Sequence, residues 1–172
     1  MPVTSMGWVH FVMALAAIAV GGAVALSRKG TVRHRNLGRV YAWLMVGVNA
    51  TAFSIYGLFG RPGPFHAAAF VSLVTIIAGW IPVRRRKPGQ WVEIHARWMA
   101  WSYVGLLAAA AAETLSRLPD SPFWWMVAGA SLAVVAIGAV VINRRLPVAL
   151  APYRRAAARR AAAEEAGRAA AS

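Results

Sequence analysis

Residues 28–53 read RKGTVRHRNLGRVYAWLMVGVNATAF. Five cations, Arg28, Lys29, Arg33, Arg35 and Arg39, give way at once to an apolar run rich in Ala, Leu, Met and Val. A run of about 20 such residues is the length that crosses the hydrocarbon core of a bilayer. Backbone groups in lipid must pair within their own segment, so a run of this kind is a helix. The pattern recurs along the chain, at about 6–26, 38–59, 65–82, 97–115 and 122–142. The whole composition agrees: 59% of the 172 residues are hydrophobic and 14% charged, with a mean hydropathy of +0.54. The sequence therefore predicts an all-α integral membrane protein with five transmembrane helices.

The charges orient it. Of the 19 Lys and Arg residues, only Arg61 and Arg117 lie in the second and fourth connectors. The rest fall in the first and third connectors or after the last run. Cytoplasmic loops hold the excess of basic residues, so the N-terminus is expected outside and the C-terminus in the cytoplasm. The net charge of +14 thus reports topology, and a nucleic-acid partner is not expected. The first run has no cations before it, unlike a secretory signal, and is expected to remain as a span. Residues 1–146 are expected to form the five-helix transmembrane domain. Residues 147–172 read as a basic, Ala/Arg-rich cytoplasmic tail, helical and projecting from or lying on the anionic leaflet. The localisation expected is a bacterial inner membrane, with multiple passes and the lipid bilayer as the first partner.

Helix starts are marked by Pro64 and Pro122, since proline suits a first turn. Thr31 is expected to cap the second helix. The tryptophans lie mostly near run ends, as interfacial belts require. Asn49, Thr51, Ser72 and Ser102 are expected to make hydrogen bonds between helices, and Gly21, Gly22, Gly47, Gly57, Gly79, Gly105, Gly129 and Gly138 to mark close packing. Glu113 is the one acid within an apolar run. It stands one turn from Arg117, so a rim salt bridge competes with a role in proton uptake.

The four histidines carry the chemistry. His10 is near the outer end of the first helix, His34 at the inner end of the second, His66 at the outer end of the third and His95 at the inner end of the fourth. The fifth helix has none. In a four-helix core bundle with a fifth, peripheral helix, the first and third helices face each other diagonally, as do the second and fourth. That gives an outer pair, His10 with His66, and an inner pair, His34 with His95. Two neutral imidazoles facing each other inside a bundle can ligate a metal from both sides, and haem b is the usual occupant. All four histidines are thus candidate metal ligands for one or two haems. A porphyrin needs small neighbours. Ala14, Ala17 and Gly21 share the face of His10, and Gly38 is one turn from His34; Met99 makes the His95 side tighter. Arg35, Arg39 and Arg97 flank the inner pair and suit haem propionates. Competing readings are interfacial histidines with no cofactor, and a zinc or copper site from one pair. With no cysteine, thiolate sites and disulfides are excluded, and no nucleotide or hydrolase motif is present.

The motifs HR..GR.Y (His34, Arg35, Gly38, Arg39, Tyr41) and H..WM..SY (His95, Trp98, Met99, Ser102, Tyr103) resemble a bacterial membrane-protein family of unknown function, number 2306 (DUF2306), over about residues 8–118. The histidine layout is also similar to that of diheme cytochromes of the b(561) type. That class has six spans, and no ascorbate-binding motif is evident in this chain. The likeness implies a small b-type cytochrome that carries electrons across the membrane, to or from a quinone or another redox partner. The alternative is a non-catalytic accessory or scaffold subunit of a larger membrane complex. A transporter is a weak third, because no inverted repeat or broken helix pair is evident.

Overall fold

The computed structural model describes residues 5–56, 60–85, 91–119 and 122–170. These form five α-helices: α1 (Ser5–Leu26), α2 (Val32–Phe53), α3 (Pro64–Arg85), α4 (Trp91–Leu115) and α5 (Phe123–Ala170). The described residues contain no strand. Arg86, Lys87 and Gly57, used above in the charge and packing arguments, lie outside the described residues.

The helices begin where local chemistry starts them. Thr31 is the N-cap of α2, and its side chain accepts a hydrogen bond from the His34 N–H at 3.2 Å. Gly30 ahead of it has φ +79°, a left-handed turn that favours glycine. Pro64 opens α3, with the Gly63 carbonyl accepting from the His66 N–H. The Pro122 carbonyl takes the first bond of α5, from Met126. α2 and α4 each start six residues before their apolar run, which puts Arg33, His34, Arg35, Glu93 and His95 on helix. Hydropathy marks only the part of a helix that suits lipid. The backbone ladder continues past it wherever nothing breaks it. By length and composition, α1, α3 and α5 are each able to cross a membrane. α5 is 48 residues long and continues through Pro147 and Pro152. At 1.5 Å per residue it spans about 70 Å, more than twice the hydrocarbon core of a bilayer.

The packing order is cyclic. α1 packs on α2, α2 on α3, α3 on α4 and α4 back on α1, while α5 packs chiefly on α4, with its Phe123 ring meeting Phe65 of α3. The core holds Ala17, Tyr41, Met45, Val48, Ile76 and Leu106, all at most 7% exposed. Glycine lets the helices approach. A Cβ at Gly21 would come within 2.6 Å of the Tyr103 ring, and one at Gly79 within 2.7 Å of Met99 Sδ. Gly47 faces Met13, and Gly138 faces Val104. Gly105 and Gly129 differ from expectation, because nothing lies within 4 Å of a Cβ at either. They do not mediate close contact within the described chain.

Hydrogen bonds between helices add to this. Asn49 Nδ2 donates to Ser72 Oγ (3.2 Å), Tyr103 Oη to the Ile18 carbonyl (3.1 Å), and Tyr41 Oη pairs with Ser102 Oγ (2.9 Å). Glu113 forms the rim salt bridge with Arg117, and both side chains are largely exposed.

Candidate functional site

The two ends of the bundle differ. At one end lie the C-terminus of α1 and the N-termini of α2 and α4, with Lys29, His34, Glu93, His95 and Arg97. This is the basic end. His10 and His66 stand at the other, where His10 Nδ1 meets Thr51 Oγ1 at 2.8 Å. The His66 ring stacks beside Tyr56 with centroids 4.8 Å apart.

Hydrogen bonding decides which ring nitrogen carries the proton, and hence which can bind a metal. His95 Nδ1 is 2.8 Å from the Gly79 carbonyl. A carbonyl only accepts, so Nδ1–H donates and the Nε2 lone pair is free. Ser27 Oγ donates its one hydrogen to the Val24 carbonyl at 2.8 Å. It therefore accepts from His34 Nδ1, 3.1 Å away, and again Nε2 is left with a lone pair. Thr51 Oγ1 aims its hydrogen at the Gly47 and Val48 carbonyls (2.8 and 2.9 Å), so His10 Nδ1–H donates to it. Three histidines thus carry the proton on Nδ1 and leave Nε2 as an acceptor.

His66 holds the other. The Gly63 N–H donates to His66 Nδ1 at 3.2 Å, as the third helical residue does in a capping box. The proton of the neutral ring is then on Nε2, and that atom is buried without a hydrogen-bond partner among the described residues.

The register of α2 against α4 aligns the basic-end pair. Both helices run away from the basic end. Tyr41 follows His34 by seven residues, and Ser102 follows His95 by seven. Seven residues are two turns, about 10 Å along the axis on the same face. Tyr41 and Ser102 are joined by their hydrogen bond and are 2% and 1% exposed. Two turns before that bridge, the same spacing sets His34 and His95 at a similar depth along the two helices. The intervening turn holds Gly38, with open space around a Cβ built there, and Met99, packed over Gly79.

The small residues near His10 make no comparable opening. Ala17 is fully buried, and the Gly21 face is filled by the Tyr41 and Tyr103 rings. This corrects the expectation of room on that side, because a large aromatic from a neighbouring helix occupies the space a small residue leaves.

Around the basic end, Arg35 reaches the Gly30 carbonyl (3.4 Å), Arg39 the Asn36 side chain (3.3 Å) and Arg97 Glu93 (3.6 Å). All three are exposed or half-exposed. Lys29 donates to the Val24 and Ala25 carbonyls, closing the end of α1, and burial lowers its ammonium from its ordinary pKa. Arg154 of α5 reaches Glu93 at 2.8 Å, and Tyr153 Oη lies against Gly30. The sequence gives no signal for the Gly79 carbonyl as an acceptor, since every residue has one. Ser27 and Thr51 were visible as polar residues, but their partners were not. The described residues contain no group of three or more His, Asp or Glu placed to hold a metal.

These features define an all-helical membrane protein with polar chemistry gathered at the ends of its bundle. Residues 7–151 match the family described as predicted membrane protein (DUF2306), and the chain belongs to that family. No curated protein and no solved structure matches it.

Proposed function

We propose that the protein is a small b-type membrane cytochrome that holds haem at the basic end of the bundle, between His34 and His95. The proposal takes all five helices as spans, with α1–α4 as the core, α5 outside it and the basic end in the cytoplasm of a bacterium. The observation that carries it is the matched register. Histidines at one level on facing helices both donate through Nδ1, so both offer Nε2 (the donor set of a bis-histidine haem). Gly38, one turn along α2 from His34, has open space around it. Arg35 and Arg39 stand at the rim for propionates, and Arg97 joins them by leaving Glu93. A haem held there would supply one-electron redox chemistry. A membrane quinol is the donor class that suits a site reached from within the bilayer.

The opposite end fits less well. His10 offers Nε2, but His66 would have to give up the Gly63 bond and turn its ring before it could be a ligand. One haem is therefore proposed, with the second site dependent on that turn.

The test is an absorption spectrum of protein purified after haem-replete expression. A Soret band and a reducible alpha band are expected. His34→Ala and His95→Ala should each remove most of the signal, and His66→Ala should keep it. A colourless preparation overturns the proposal. One observation favours the other reading, a scaffold subunit: side chains close the bundle centre, with Tyr41 and Ser102 almost fully buried.

A further inference from the structure

The face of α3 at the basic end carries a groove of about 470 Å³ lined by Ile77, Trp80, Ile81, Arg84 and Arg85. These positions recur at three- and four-residue spacing, so they form one continuous face over the last turns of the helix. α3 packs against α2 and α4, and its Phe65 also meets Phe123 of α5; toward the other end of the helix Ile77, Trp80 and Ile81 are 46%, 38% and 43% exposed. The Trp43 ring of α2 meets Trp80 edge-on at 6.5 Å. The groove is therefore apolar along its length and basic at one end. The Arg84 guanidinium lies over the Trp80 ring, 5.0 Å from its centroid, which fixes a charge at the groove mouth. Among the described residues Arg97, Arg117 and Arg154 have carboxylate partners, whereas Arg84 and Arg85 have none.

We propose that this groove holds an anionic glycerophospholipid of the surrounding leaflet, with its phosphate at Arg84 and Arg85 and an acyl chain along Ile77, Trp80 and Ile81. The chemistry selects that occupant. A free anion would gain nothing from the two isoleucines and the indole. An extended peptide would need hydrogen-bond partners along a wall that offers none. A zwitterionic lipid would bring its ammonium beside two guanidiniums. Only a molecule with an apolar body and a net negative head uses the whole face. The inference is independent of the haem proposal and stands or falls with the groove.

Native mass spectrometry of the protein released from detergent reads it directly. Phosphatidylglycerol and phosphatidylethanolamine with the same acyl chains are added at equal concentration. Phosphatidylglycerol should be retained preferentially. The double variant Arg84→Gln/Arg85→Gln should lower its retention about ten-fold, in keeping with the attraction of basic residues to anionic lipid, and leave phosphatidylethanolamine unchanged. Trp80→Leu should lower it as well. Arg144→Gln/Arg145→Gln removes the same charge from exposed positions on α5 and should change nothing. Equal losses in the two double variants would mean general basicity and overturn the site. So would equal retention of both lipids, or displacement of phosphatidylglycerol by inorganic phosphate alone.

Discussion

A histidine's usefulness is set by what its far nitrogen touches. His95 and His66 are the same residue near the starts of neighbouring helices, yet their protons sit on opposite nitrogens. One faces a carbonyl that can only accept, the other an N–H that can only donate. The difference has a consequence for stability that needs no cofactor. His66 buries an Nε2–H with no partner among the described residues, and an unmet buried donor costs about 1–3 kcal/mol. His66→Phe removes that cost, keeps a ring against Tyr56 and Phe53, and gives up only the Gly63 contact. It should be neutral to within about 0.5 kcal/mol or stabilising. His95→Phe loses a sound hydrogen bond and should destabilise by about 1 kcal/mol. Thermal unfolding of the cofactor-free protein in one detergent compares them, and the reverse order would refute the tautomers assigned to the two rings.

Helices are where the sequence was most readable. Thr31 announces the start of α2 because its hydroxyl meets an N–H that the helix leaves unpaired. Thr31→Ala should cost about 1 kcal/mol, seen as a lowered midpoint in the same unfolding assay; no change would mean that the first turn is held by tertiary contacts. Helix lengths were less readable. α2 and α4 begin in charged sequence, and α5 runs on through two prolines, because a hydropathy run ends where lipid ends while hydrogen bonding does not. Contacts between helices were the least readable. The interhelical bond of Ser102 was expected, but its partner Tyr41 was not. The small face beside His10 looked like a cavity, yet the Tyr41 and Tyr103 rings fill it. A single chain shows which residues are small, and a neighbouring helix decides whether the space stays open. The candidate site was half legible for the same reason. The spacing of His34 to Tyr41 and of His95 to Ser102 stands in the sequence, but its meaning as a shared register needs the 2.9 Å bond between the last members of each run.

At the scale of the molecule, the fold separates charge from apolar surface, and that separation predicts topology. Of the Lys and Arg among the described residues, only Arg61 and Arg117 lie toward the other end, and the rest belong with the basic end or the α5 extension. Basic segments are retained in the cytoplasm, so the basic end and α5 beyond residue 143 should face inward. Two groups are then placed on one side of the membrane: the His34–His95 pair and the Arg84–Arg85 groove. The chain has no cysteine, so single cysteines report accessibility without background. Leu118 is 51% exposed beside Arg117, and Ala158 is exposed on the α5 extension. In intact spheroplasts a membrane-impermeant maleimide should label Leu118→Cys, and Ala158→Cys should react only after lysis. Labelling of Ala158→Cys before lysis would invert the molecule. The anionic lipid of the α3 groove would then have to come from the outer leaflet, and any electron reaching His34 and His95 from the aqueous phase would have to come from outside the cell. Labelling of both positions before lysis would place both ends of α5 on one side and remove it as a span, leaving an even number of crossings for α1–α4.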